Sequence, residues 1–348
     1  MSRMSNVRAG KPSPKALDRL LAGQFGKSRR QVLVGPGPGL DAAVLDVGGG
    51  KVMAVAEDPI FPAPNLPLDI MGFFTVHIGA SDVAVTGIRP EYMTYTLLMP
   101  PASPTSDAEL LIQSISDTAG SLGVTIAGGH TGWYSAVTVP IVGGVTVWGT
   151  ARKDQWISPG GAQNGDVILM TKGPSIEAAA LLGVLYQDKI RSKMDSDLMD
   201  RVCSRTNEIT VVEDALTAFR AGGVHAMHDA TEGGVLGGLW EMQAASRKHL
   251  EVALESSMIP EDIAALSNAL EFDPWTAISE GTLLAAVHPN SVDAVRKAWE
   301  DIDIPSYVIG RFDTSLSESK IIRNGKSSPL PEPQEDPFWR LFFAGLGE

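Results

Sequence analysis

Apolar positions along this chain recur with two spacings, and the places where one gives way to the other set the order of its elements. Short apolar runs predict strands at "QVLVG" (31–35), "AAVLDV" (42–47) and "KVMAVAED" (51–58), the last two joined as a hairpin by Gly48, Gly49 and Gly50. A short helix is predicted from Lys15 to Leu21. The stretch "LDIMGFFTVHIGASDVAVTG" (68–87) has the length of a helix and stops at Gly87, ahead of Pro90. Asp82 therefore falls inside an almost wholly apolar helix, an expensive place for a carboxylate without a cation or donors to meet it. "EYMTYTLLMPP" (91–101) reads as a strand closed by prolines, and Ser106 is expected to cap a helix in which Leu110, Leu111, Ile115, Ala119 and Leu122 repeat near the helical period. "GVTIAGGHT" (123–131) reads as a strand running into a glycine turn.

The polar, Pro- and Gly-rich "RKDQWISPGGAQNGD" (152–166) breaks the pattern and predicts a domain boundary. Beyond it come the strand "DVILMTKG", a helix from about Glu208 to Ala221, the strand "VHAM" and the segment "HDATEGGVLGGLWEM" (228–242). In that segment Thr231 can cap the following helix, and its glycines leave amides open to an anion. The expected organisation is a mobile N-terminal segment with a short helix (1–30), two α/β domains (31–155 and 156–328), and a Pro-rich, extended tail (329–348). The tail's aromatic cluster, Phe338, Trp339, Phe342 and Phe343, is expected to dock onto the body or a partner.

Charge and composition narrow the function. With 28 Lys and Arg against 41 Asp and Glu, the net charge of −13 repels phosphate backbones, so no nucleic-acid partner is expected. No Asp, Glu, Lys or Arg lies between Asp117 and Arg152, but Pro140 and the alternating "VTVPIVGGVTVWG" favour buried strands, and no membrane association is expected. The one cysteine, Cys203, excludes an internal disulfide and fits a cytoplasmic location.

Several phosphate motifs fail on inspection. The loop "GPGPGLDAAVLDV" (35–47) has the form GxGxG, leads into a strand, and loses two amide donors at Pro36 and Pro38. "GKSRR" at Gly26 and "GKSSP" at Gly325 lack the first glycine of a P-loop, and no histidine pair has zinc spacing. What remains is a set of carboxylates at loop and strand ends: Asp41, Asp58, Asp82 and Asp229. Any one of them can be a turn or cap. Facing a polyphosphate together they would repel it, by about 4 kcal/mol for a pair at about 4 Å in an effective dielectric near 20, so magnesium must lie between.

In order, "GLDAAVLDV", "EDPI", "GASDVAVTGIRPEYM", "AGGHT", "NGDVILMTKG", "HDATEGGVLGGLWEM" and "SEGTLLAAV" resemble the motifs of the aminoimidazole ribonucleotide synthetase-like superfamily. That group takes in selenophosphate synthetase, thiamine monophosphate kinase and a hydrogenase maturation factor that dehydrates a carbamoyl group. The resemblance implies a two-domain α/β fold, a homodimer formed through the N-terminal domain, and ATP with magnesium in the cleft. Carried over, Asp41, Asp58, Asp82 and Asp229 hold the metal-bound phosphates. Gly39, Gly128, Gly129, His130, Thr131, Thr231 and Gly233 lie near the nucleotide, Lys11 falls where relatives carry a phosphate-contacting lysine, and Glu280 is a general base.

Departures from the family pattern are Leu40 in place of a second acid, His130 at the acid of the second glycine motif, and Gly132 in place of the maturation factor's lysine. The final "AGLGE" lacks that factor's cysteine-bearing tail, so carbamoyl chemistry is a secondary expectation. The leading expectation is ATP- and magnesium-dependent phosphorylation of an oxygen on a small-molecule substrate. An ATP-binding regulatory protein without turnover, or a module that docks its aromatic tail into a neighbour, remain as alternatives.

Overall fold

The computed structural model describes residues 9–60, 63 and 65–345. α1 (Pro14–Leu21) precedes β1 (Val32–Val34), β2 (Ala43–Gly48) and β3 (Lys51–Ile60), and β2 and β3 pair antiparallel. α2 (Leu68–Ala84), β4 (Tyr92–Met99), α3 (Thr105–Leu122), β5 (Thr125–Trp133) and β6 (Ile141–Arg152) complete the first half. Its six strands run in the order β1-β2-β3-β6-β4-β5, antiparallel except for the parallel edge pair β4–β5. Alternation along β4 and β6 turns Met93, Leu97, Val145 and Val147 onto the face that α2 and α3 cover. α3 buries Ala108, Leu111, Ile115 and Ala119, one stripe at helical spacing. Ser106 is not its cap: the helix begins one residue earlier, behind Pro104, whose fixed backbone suits the entry.

The second half runs β7 (Val167–Thr171), α4 (Ile176–Leu185), α5 (Gln187–Ile190), α6 (Ser196–Ser204), α7 (Val212–Ala221), β8 (Val224–Asp229), α8 (Gly234–Ser246), β9 (Leu250–Leu254), α9 (Glu261–Leu270), β10 (Leu283–Val287), α10 (Val292–Glu300), β11 (Ser306–Phe312), β12 (Lys320–Arg323) and β13 (Lys326–Pro329). Its seven strands are ordered β13-β12-β9-β11-β7-β10-β8, with only β9–β12 parallel. β7 and β10 are continuous apolar runs because both faces of this sheet are covered, by α8 on one side and by α4, α7 and α10 on the other.

α2 ties the halves together. It is apolar all round, which in a helix of this length means burial on every side. It packs on β3, β6 and α3 of its own half and on α7 and β8 of the other, so one apolar core runs through both. Two polar contacts fix that seam: Ser81 Oγ accepts the Val211 amide at 3.1 Å, and His77 Nδ1 lies 2.8 Å from Thr210 Oγ1.

The two ends of the chain differ from expectation. Residues expected to form a mobile tail instead meet the second half: the Lys11 amide donates to Glu232 and Lys15 pairs with Glu332. Residues 1–8 and 346–348 lie outside the described residues. The C-terminal aromatic stretch is not extended but forms α11 (Pro337–Gly345), because proline sets the first turn and Asp336 accepts the Phe338 amide at 2.9 Å. Phe338, Trp339 and Phe342 are buried against Phe74 and Ile78 of α2 and Leu181 of α4.

Candidate functional site

The seam along α2 brings separate acids together. Asp58 lies on the core-facing side of β3, Asp82 on the last turns of α2, Asp41 in the loop before β2, and Asp229 at the end of β8. Burial, then the charges of Asp58, Asp229 and Asp41, push the Asp82 carboxyl well above the ordinary carboxylate range. All four aspartates expected from the sequence thus lie close enough to act on one another's charge. Glu280, on the turn before β10, joins them, and burial and then Asp229 push its carboxyl up likewise.

The most telling groups are Asp229 and Glu280. Each is about 1% exposed, and among the described residues none of their four carboxyl oxygens has a hydrogen-bond partner. Orphaned carboxyls of one sign, facing each other away from water, need either shared protons or a cation. Asp41, His228 and Asp229 offer ligand atoms within 4.8 Å of one another. His228, however, is already engaged at both nitrogens, Nδ1 at 2.6 Å from Asp41 Oδ2 and Nε2 at 2.8 Å from Glu241 Oε2. Burial works against its charge, yet Asp41 and Glu241 override that and raise its pKa well above normal, so it stands as an imidazolium. The donors left over are carboxylate oxygens, a hard set that suits magnesium.

Lys11 brings the other cation. Its Nζ donates to Thr231 Oγ1 at 3.0 Å, and although burial lowers its pKa, Glu241, Asp58, Glu232 and Asp41 together raise it. Thr231 is therefore not the helix cap. α8 starts from Gly233 in a left-handed conformation, with no side-chain cap, and the Gly233 amide donates to Asp336 Oδ2 at 2.8 Å. Behind Glu280, Glu177 accepts the Glu280 amide at 3.2 Å, and burial pushes its carboxyl up to about 8. Lys172 Nζ, bonded to the Gly281 and Thr210 carbonyls and to Asp214, braces the same turn from below.

Other expected nucleotide contacts fall elsewhere. Gly39 does not face the hollow: it is buried at φ +68°, and a Cβ there would meet the Glu241 carbonyl at 2.3 Å, so its role is close packing of the opening loop on α8. Gly128, Gly129, His130 and Thr131 sit on the exposed edge strand β5, three strand spacings or about 14 Å from β3 and Asp58. His130 Nε2 contacts the Tyr134 hydroxyl there, at 2.6 Å. His228, Glu241, Glu177 and Asp336 were not signalled by the sequence. An acid set in the otherwise apolar run "IEAAALLG" is the signal that could have marked Glu177.

Two family models account for most of the chain: the AIR synthase related protein N-terminal domain matches residues 39–152 and its C-terminal domain residues 163–319. The chain belongs to the AIR synthase-related family. Within it, a selenide, water dikinase of Rhizobium meliloti is 30% identical over 260 residues, covering 72% of this chain and 68% of the relative. A carbamoyl dehydratase HypE of Rhizobium leguminosarum bv. viciae is 24% identical over 291 residues, covering 82% and 79%. Among solved structures, hydrogenase maturation protein HypE in complex with ATP superposes with a TM-score of 0.64 at 18% identity, covering 95% of this chain and 97% of that one. The AIR synthase-related fold expected from the motifs is thus the fold observed, two α/β halves with the acidic hollow at their seam.

Proposed function

We propose that this chain is an ATP-dependent enzyme that transfers a phosphoryl group to an oxygen of a small-molecule substrate, with magnesium as counter-ion. The observation that carries the reading is the convergence of Asp41, Asp58 and Asp82 on Asp229, whose buried oxygens have no hydrogen-bond donor among the described residues, a charge arrangement that a divalent cation would relieve. Relatives named for kinase and dehydratase activities, and a like-folded protein holding ATP, support it.

Asp41, Asp58, Asp82 and Asp229 would hold the magnesium, which when bound neutralises phosphate charge. His228 fixes one oxygen of Asp41 and leaves the other free to turn inward. The ammonium of Lys11 would meet phosphate oxygens directly. Glu280, its carboxyl raised by burial and by Asp229, would take the proton of the acceptor oxygen as that oxygen attacks. A homodimer through the first sheet fits its uncovered face, where Tyr92 and Trp148 stack at 5.8 Å and Tyr92 is 42% exposed. A cytoplasmic seat fits the single, unpaired Cys203.

Thermal shift with ATP and magnesium tests the site. The wild-type chain is expected to be stabilised by both together and not by either alone, and Asp82→Asn to lose the effect. Equal affinity in wild type and variant rejects the assignment. Formation of ADP on adding a consumed metabolite separates an enzyme from a nucleotide-binding regulator.

A further inference from the structure

A second cavity lies in the C-terminal half, where the chain leaves β7 and where it enters α7 and β11. It holds about 540 Å³, inside the roughly 300–1,000 Å³ range of small-molecule pockets. Pro260, Ile304, Pro305 and Tyr307 give it apolar walls, and the Lys172–Asp214 ion pair closes its floor. Neither Glu280 nor any of the four aspartates of the hollow lines it.

The floor is short of a donor. Lys172 Nζ has three protons and donates them to the Thr210 carbonyl at 2.7 Å, the Gly281 carbonyl at 3.0 Å and Asp214 Oδ2 at 3.0 Å. Asp214 is 2% exposed, and its Oδ1 has no hydrogen-bond partner among the described residues, an unfavourable state for a buried carboxylate. Arg205 does not supply the missing proton either: Nε and Nη2 donate to Asp262 at 2.5 and 2.8 Å, and Nη1 to Glu208 at 2.7 Å. At the rim Glu213 faces solvent, 3.6 Å from Arg220, and Asp303 is exposed. The lining is therefore net negative, with Lys172 and Arg205 set against Glu208, Glu213, Asp214 and Asp303.

The structure assigns this cavity to a small organic cation, an amine or guanidine on a short apolar stem, whose charged head donates to Asp214 Oδ1 while the stem packs on Pro305 and Tyr307. Such a head makes a charge-assisted hydrogen bond that a neutral guest does not, and an anion meets repulsion from the lining. The floor is also wired to the acidic hollow. Lys172 Nζ holds Asp214 and the Gly281 carbonyl together, one residue from Glu280, so a guest on Asp214 stiffens that turn. The site and its ligand class do not depend on the nucleotide reading.

The experiment uses the full chain without nucleotide. Titration calorimetry with agmatine and putrescine is compared with 1,4-butanediol and glutarate, neutral and anionic guests of similar length, and hydrogen exchange by mass spectrometry reads peptides 205–217 and 278–284. Both amines are expected to bind at least about tenfold tighter than the diol or the diacid, and agmatine to slow exchange in both peptides. Asp214→Asn should weaken agmatine by at least about tenfold. Because that change also removes the partner of Lys172, the second variant is Glu213→Gln with Asp303→Asn, both exposed; it should weaken agmatine about fivefold while the melting temperature holds. Amines that bind no tighter than the diol, a folded variant of either kind with wild-type affinity, or exchange in 278–284 that stays level with agmatine overturns the proposal.

Discussion

Replacing Asp229 by Asn separates what the acidic hollow does for binding from what it costs the fold. Asp229 is 1% exposed, its oxygens are without partners among the described residues, and it faces Asp82, Asp41 and Glu280. A buried charged group left without donors costs about 1–3 kcal/mol or more, and each close like-charged neighbour adds repulsion of about 4 kcal/mol at about 4 Å in an effective dielectric near 20. Shared protons and the His228 imidazolium, whose Nδ1 lies 3.9 Å from Asp229 Oδ1, relieve most of that, so the net gain from the isosteric, neutral Asn is set at about 2 kcal/mol. Over one cooperative unit of 348 residues it raises the melting temperature by about 3 °C. The assay is calorimetric melting at pH 8.5, first in EDTA and then with magnesium and ATP at a hundredfold excess over the wild-type dissociation constant, where binding adds about 2.7 kcal/mol to the wild type. The variant should melt higher in EDTA, gain nothing from ligand, and so lose its advantage. A variant that melts lower in EDTA would mean that the carboxylate supports the fold; one that keeps the full ligand shift would mean that it does not touch the metal. Either outcome refutes the reasoning.

Two further predictions concern the frame around the hollow. In EDTA, stability should fall as pH rises: burial lifts Glu177 to about 8, Asp336 to about 7 and Asp41 to about 6, so the folded chain holds protons that the unfolded chain has released. Their contribution is complete below about pH 4 and is lost as pH rises to those values, by up to about 1.4 kcal/mol per pH unit for each group, and Glu177→Gln should flatten the upper part of the stability curve between about pH 7 and 8. Gly39→Ala should destabilise by at least about 2 kcal/mol in urea denaturation, because it combines a left-handed backbone with a Cβ 2.3 Å from the Glu241 carbonyl. A neutral outcome would show that the opening loop is free to lift off α8.

Much of the frame could be read from the chain because local signals agreed with the fold. The unbroken apolar run of α2 announced a helix buried on all sides, and with it the anomaly of Asp82. The β2–β3 hairpin was marked by its glycines. Helices α4 to α6 were missed. "IEAAALLGVL" has no polar face to give it a period, and it is entered through Ser175 in a left-handed conformation without a side-chain cap. α11 was hidden by the prolines around it, which suggest extension although Pro337 in fact opens the helix. The aspartates of the hollow were legible as types on glycine-flanked turns. Their supporting groups were not, because His228 meets Asp41 across 187 residues of chain and Asp336 meets Gly233 across 103. The edge strand β5 carries a motif in its glycines and His130, and register sets these residues three strands from Asp58 within one copy of the chain.

Because α2 lends one side to each sheet, neither half has a complete interior of its own. A chimaera that took residues 163–319 from a relative would have to import the matching surface of α2 as well, or leave α7 and β8 resting on a misfitting rod. The acidic seam is thus inherited as a unit, and drift in one half constrains drift in the other through a helix seventeen residues long.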